Sequence, residues 1–265
     1  MATHSPLATD AAKAPRNNTP ASAGRQILKQ TQFELLLTSR RGENVLVTLI
    51  IPVMLLIFFA SLNIIPVNKG ESAATFLLPG ILAIAIMAAG MVNLGIATAY
   101  ERYYGVLKRL GSSPLSRSGL IIAKIISILV LEVVQVLLLV GVAVAFYGWR
   151  PVGSLPFALL SIVLGTVTFS ALGLAMAGAL RAEMTLAGAN ALFLVFILLG
   201  GGILPLEHLP APIAAIAQLL PASALTQALQ QTMAHNGTFP LYPILLLTLW
   251  AIVILFVAIR TFKWE

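Results

Sequence analysis

Few side chains in this sequence have the type and placement to do chemistry. Glu132 falls near the middle of a long apolar run, with Gln135 one helical turn further on. An ionisable group at membrane depth costs ~2.5–3.5 kcal/mol or more unless protein or water receives it. Two uses fit the pair. One is a place on a translocation path or a proton-coupled site. The other is a protonated carboxyl hydrogen-bonded to a neighbouring helix, with Gln135 joining helices. Glu207-His208, set among prolines, reads as a solvated loop pair, and neither His208 nor His235 has a second ligand at metal spacing, so no metal site is expected. The sequence holds no phosphate loop, GxGxxG, HExxH or GxSxG pattern. It also holds no cysteine, which removes disulfides and thiolate chemistry. A chain with this inventory is not expected to be an enzyme, and energy for any active work has to come from a partner.

The elements that position these residues are membrane helices. Hydrophobic residues make up 59% of the 265 and charged residues 9%, with mean hydropathy +0.97. That leaves too little polar surface to cover two soluble domains. Against the ~20 apolar residues that cross a bilayer, the sequence offers six spans: Val45–Leu62, Phe76–Tyr100, Leu120–Phe146, Leu155–Leu180, Met184–Leu204 and Leu241–Arg260. No alternating ~10-residue segments suggest a barrel, so the expected class is an all-α polytopic membrane protein. Fourteen of the sixteen Lys and Arg fall on one side of these spans, leaving Lys69 and Arg150 on the other. The positive-inside rule then puts both termini in the cytoplasm, with a plasma membrane as the setting. The net charge of +7 reports topology and contact with anionic lipid, not nucleic-acid binding. Lys124, just inside the third span, can snorkel to the cytoplasmic headgroups.

Four segments depart from the plain spans. Residues 1–24, rich in Ala, Thr, Pro and Asn, read as a disordered cytoplasmic tail rather than a signal peptide. Residues 25–41 place Phe33, Leu36 and Leu37 on one helical face, which suits an interfacial amphipathic helix; a cytoplasmic extension of the first span is the plainer reading. Between spans five and six, residues 205–238 are broken by Gly and Pro into two helices too short to cross, Ile213–Leu220 and Ser223–Met233. These are expected to be re-entrant or to lie at the outer interface, with Pro221 between them and Ser223 as N-cap of the second. The triplet Asn236-Gly-Thr238 fits a glycosylation sequon but carries little weight. The fourth segment, Tyr100–Arg117, gathers charge, Gly, Ser and Pro between two apolar runs. It must sit in water, and its pattern suits docking. Above it Gly90, Asn93, Ala97 and Glu101 form a small-and-polar ridge at three- and four-residue spacing, suited to close helix packing. Span four carries a Gly173-x-x-x-Ala177 pair, and span five Ala187, Asn190 and Ala191, with the same expectation.

Three runs carry a resemblance: Thr75-Phe-Leu-Leu-Pro79-Gly80, then Glu101-Arg102-Tyr-Tyr-Gly105-Val-Leu107-Lys-Arg-Leu110, then Ser113-Pro114-Leu-Ser-Arg117. Together with Pro52 early in the first span and Leu206-Glu-His-Leu-Pro210 after a Gly-rich end of the fifth, they resemble the membrane subunit of type-2 ABC exporters, and more narrowly the daunorubicin-resistance-like permeases. Residues 25–265 are covered. Tyr103 and Tyr104 depart from the pattern, since many members carry a charged residue there. The resemblance implies a six-helix transmembrane domain with an N-terminal interfacial helix. It also implies that residues 101–117 form a coupling segment docking on a separate ATPase subunit, which would bind ATP and Mg. In that segment Val106, Leu107 and Leu110 would supply apolar contact and Lys108 and Arg109 charge. Gly111 through Pro114 would end the helix, and Glu101 and Arg102 would stand at the membrane exit. The residue 25–41 helix would form a second contact with the ATPase. A second permease subunit, identical or related, would complete a pathway for an amphipathic, drug-like or lipid-like substrate moved by alternating access. The rival readings are an ATP-independent secondary transporter using Glu132, an integral membrane enzyme acting on lipids, and a non-transporting scaffold.

Overall fold

Backbone polar groups surrounded by hydrocarbon must be satisfied within the segment, which leaves helices for runs as apolar as these. A computed structural model describes residues 22–40, 42–62, 73–113, 115–150, 153–203, 206–233 and 239–264, and no strand occurs among them. Helix α1 (Ala23–Arg40) is followed by α2 (Gly42–Ser61), α3 (Ala73–Met87), α4 (Leu94–Tyr103), α5 (Val106–Gly111) and α6 (Arg117–Tyr147). Then come α7 (Leu155–Ala179), α8 (Ala182–Leu199), α9 (Ala211–Ala217), α10 (Pro221–Met233) and α11 (Leu241–Thr261). Five helical stretches are long and apolar enough to cross a membrane, and α2 adds a shorter apolar helix, Leu46–Ser61. The chain is an all-α, multi-pass membrane protein. Of the expected disordered tail, residues 1–21 lie outside the described part, while Ala23 and Gly24 already belong to α1. Pro114, His235 and the Asn236–Thr238 triplet also lie outside it.

The second crossing is the central one, 78% buried along its apolar window. It runs from α3 into α4 through a π-helical turn, Ala88–Asn93. Residues five apart in an α-helix point about 140° away from each other, but the wider π turn brings Gly90 and Gly95 to the same side. Both meet α7: a Cβ on Gly90 would lie 2.8 Å from the Ser170 nitrogen, and one on Gly95 2.8 Å from the Gly173 Cα. The expected single ridge is therefore split. Gly90 packs on α7, whereas Asn93, Ala97 and Glu101 line a cavity on another side. Gly173 and Ala177 do pack closely, Ala177 joining Ala99 and Ala182.

Contacts fix which ends lie together. Arg102 at the end of α4 reaches the carbonyl of Gly178 in α7 at 2.7 Å, and Arg117 at the start of α6 reaches Phe262 after α11 at 3.4 Å. This is the basic end. At the opposite end Gly80 touches Gly202, and the Ser154 amide donates to Thr232 at 2.8 Å. Both termini of the segment between α8 and α11 are at that opposite end, yet its corner reaches inward. Trp250, nine residues into α11, donates to the Leu219 carbonyl at 3.0 Å, a depth of roughly 14 Å at 1.5 Å per residue. Helices α9 and α10 meet there at 82°, the bend of a broken span or a re-entrant loop, and α10 is buried among α3, α7 and α11. Pro221 opens α10 rather than separating two helices from outside. Ser223 is not an N-cap acceptor. It sits inside α10, and its hydroxyl donates back to the carbonyls of Ala217 and Leu220, which also accept the backbone amides of Leu220 and Ala224.

Candidate functional site: the basic-end segment and its buried joint

Helix α4 stops where Gly105 takes a left-handed conformation, φ 72°, which a side chain disfavours. The chain then turns into the six-residue α5. Only one side of α5 is apolar enough to bury, and Leu107 takes it. Leu107 is 1% exposed, in a cluster with Leu120, Ile121 and Phe262, flanked by half-buried Leu110, Leu115 and Trp264. The apolar contact expected of Leu107 and Leu110 toward a partner is thus made within the chain, anchoring α5 to α6 and the C-terminal residues. The surface turned outward is different: Tyr103 and Tyr104, 65% and 70% exposed, with Val106, Lys108 and Arg109 beside them. Tyr104 stacks on Tyr100 at 6.1 Å and meets Tyr103 edge-on at 5.1 Å, which holds these rings as one platform.

Behind this surface lie two tethers. Arg102 donates to the Gly178 and Leu180 carbonyls. These are orphan acceptors at the C-terminus of α7, where a cation is favoured. Glu101 pairs with Lys124 of α6 at 2.8 Å, and Lys124 also pairs with Glu34 of α1 at 3.1 Å. Gln30 donates to the other Glu34 oxygen at 2.8 Å. Lys124 is 1% exposed, so it does not snorkel; the two carboxylates receive its charge inside the protein. Consequently α1 turns its polar side, Gln30, Thr31 and Glu34, against α6, while Phe33 and Leu36 face outward and Leu37 lines the cavity. That cavity, about 620 Å³, lies between α1, α2, α4 and α6. Glu34, Glu101 and Lys124 contribute to its wall, together with Asn93, Thr48 and Tyr100.

Sequence comparison supplies the family. A sequence model of the family described as ABC-2 type transporter matches residues 25–234. The chain belongs to that family. A permease of Escherichia coli (strain K12) designated YbhS is 26% identical over 198 residues, which are 74% of this chain and 52% of YbhS. A transport permease of Bacillus subtilis (strain 168) designated YvfS is 28% identical over 204 residues, 73% of this chain and 80% of that protein. The ycf38 permease of Porphyra purpurea is 30% identical over 211 residues, 74% and 70% of the two chains. The chain thus spans about half the length of YbhS.

Within this ABC-2 membrane subunit the polar residues of the spans serve different neighbours. Residues three apart on a helix differ by about 60° in direction, enough to send Glu132 and Gln135 to separate helices. Gln135 donates to the Thr48 carbonyl of α2 at 2.8 Å, and Asn93 donates to the Thr48 hydroxyl at 2.8 Å. Glu132, 1% exposed, accepts from Thr166 of α7, and its Oε1 has no hydrogen-bond partner. Asn190 bonds back to Leu186 of its own helix at 2.8 Å and is exposed, as are Ala187 and Ala191. The packing expected of that stripe is therefore not made within one chain. Glu34 and Thr48 are the site residues that sequence reading misses. The available signal for Glu34 is depth: Glu34, Glu101 and Lys124 all lie at the same end of the bundle, so pairing opposite charges of equal depth finds the joint.

Proposed function

We propose that this ABC-2 subunit is the permease of an exporter driven by a separate ATPase that docks on the outward surface of residues 103–109. The carrying observation is the division of labour around α5. Leu107 anchors the segment, and Tyr103, Tyr104, Val106 and Arg109 are exposed without being needed for that anchor. Such an aromatic and basic platform stays out of the hydrocarbon, at the headgroups or in water, and Glu101 and Arg102 connect it to α6, α1 and α7. Both termini and the platform are cytoplasmic in this reading, by the excess of basic residues at that end, and the membrane is the plasma membrane. ATP and Mg belong to the partner subunit. A second permease, identical or related, covers the exposed Ala187–Asn190–Ala191 face of α8, where small residues permit close approach. Closure of the ATPase dimer pushes the platforms and rocks the two permeases between access states. The substrate class proposed is amphipathic; the name of YbhS assigns that relative to multidrug ABC transport.

The test is Tyr104→Asp with Val106→Asp in the full chain. Insertion should stay as in the wild type and any loss of stability should fall within about 0.5–1.5 kcal/mol, the worth of the Tyr104–Tyr100 stacking, because both side chains are exposed, while an ATPase that co-purifies with the wild type is lost. Undiminished co-purification and nucleotide-dependent transport in this variant would place docking elsewhere.

A further inference from the structure

We propose that Lys124 is a positioning residue: a buried joint that makes α1 and the α4–α5 platform move as one body on α6. Three elements far apart in sequence meet at its ammonium. Glu34 lies 90 residues before it and Glu101 23 residues before it, and each carboxylate is within hydrogen-bond distance, at 3.1 and 2.8 Å. Beside the joint, Gln30 of the same helix holds the second oxygen of Glu34 at 2.8 Å, and one further contact aligns α1 on α6, the Thr31 hydroxyl reaching the Ala123 carbonyl at 3.4 Å.

Charge count and location make this a joint rather than a static pair. Removing one partner of a buried ion pair leaves the other charge uncompensated, so buried partners are held together strongly. Separating α1 from α4 would expose that cost at one carboxylate or the other. Moving both together with Lys124 keeps both bonds. Before α4 the chain has the means to turn, in the π-helical Ala88–Asn93, while Leu107 anchors the segment beyond Gly105 to α6. A displacement applied to the platform is therefore delivered through Lys124 to α1 and α6 at the same time, besides the tether of Arg102 to α7.

The chain has no cysteine, so spin-label pairs can be added without removing any native residue. Gln32→Cys on α1 and Ser112→Cys at the end of α5 are both exposed and report the distance across the joint. Gln32→Cys with Leu194→Cys on the exposed side of α8 reports movement against the rest of the bundle. In the full chain in lipid nanodiscs, the α1–α5 distance distribution should be narrow in the wild type. Lys124→Met should broaden it by about twofold, since both carboxylates then lose their counter-charge. Lys124→Arg should restore the narrow distribution, because the cavity leaves room for the larger head. Glu101→Gln, which leaves Lys124 with Glu34, serves as the second variant should Lys124→Met fail to insert, and it should broaden the same distance. The nucleotide arm rests on the docking reading. With the co-purified ATPase trapped by ATP and vanadate, the α1–α8 distance should change in the wild type while the α1–α5 distance does not. A wild-type α1–α5 distance that changes with nucleotide, or a Lys124→Met distribution identical to the wild type, overturns the joint. If nucleotide moves neither pair, the docking reading fails, and the comparison without nucleotide still decides the joint.

Discussion

Replacing Leu107 by Ala separates an anchor from a docking residue. Leu107 is 1% exposed against Leu120, Ile121 and Phe262, and truncating a buried Leu costs about 2–5 kcal/mol. The lower part of that range applies here, because α5 is six residues long and ends in turns that can settle over the gap. A loss of about 2–3 kcal/mol confined to α5 raises its local opening, and hence amide exchange, by roughly 30- to 150-fold. Tyr104→Ala is the control. Its ring is 70% exposed, and the stacking on Tyr100 that it gives up is worth about 0.5–1.5 kcal/mol, so exchange rises by no more than about tenfold. Hydrogen exchange of residues 106–113 read by mass spectrometry, in the isolated subunit and with an ATPase bound, distinguishes the two. Faster exchange in Leu107→Ala without any partner present supports the internal anchor. Unchanged exchange in the isolated subunit, together with lost ATPase association, would mean that Leu107 points at the partner and that the outward surface has been misidentified.

Three further substitutions bear on helix packing and on Glu132. Gly173→Ala places a Cβ 2.7 Å from the Met91 carbonyl oxygen and 2.8 Å from that of Gly90, so the gain of about 1 kcal/mol in helix propensity is outweighed by about 1–3 kcal/mol of overpacking. Gly141→Ala in α6 meets nothing within 4 Å and should raise the melting temperature, while Gly173→Ala lowers it; equal shifts would contradict the close approach of α7 to the π-helical turn. Glu132→Gln keeps an acceptor for Thr166 and should leave transport intact and indifferent to a collapsed proton gradient. Transport that requires the gradient in the wild type and disappears in Glu132→Gln would favour secondary transport instead.

How much of this was legible follows from the kind of signal each feature leaves. Long apolar runs survive as composition, so the crossings and the polar Tyr100–Arg117 segment can be read directly. Orientation within α5 cannot. Six residues with Val106, Leu107 and Leu110 define no period, and either side could face a partner until Leu120, Ile121 and Phe262 are seen beneath Leu107. Lys124 near a span end suits snorkelling by position alone, and its pairing depends on carboxylates brought from α1 and α4 by tertiary folding. The ridge through Gly90 and Glu101 fails for a local reason: 3.6-residue periodicity does not hold across a π turn. Pro and Gly punctuation marks the two short helices between α8 and α11, but it does not give the direction of bonding at Ser223. An N-cap hydroxyl accepts from the amides of the first turn, whereas Ser223 already lies inside α10 and its hydroxyl donates to carbonyls of the preceding turn.

The central claim is that an ATPase subunit sits on the Tyr103–Arg109 surface. Because the chain has no cysteine, Tyr104→Cys gives a single thiol on that surface, and Leu107→Cys gives one on its buried side. With a short thiol-to-amine crosslinker applied to membranes containing the assembled transporter, Tyr104→Cys should give a covalent adduct to a nucleotide-binding subunit, identified by mass spectrometry, whereas Leu107→Cys should not. An adduct from Leu107→Cys but not from Tyr104→Cys, or none from Tyr104→Cys while the transporter hydrolyses ATP, would contradict it.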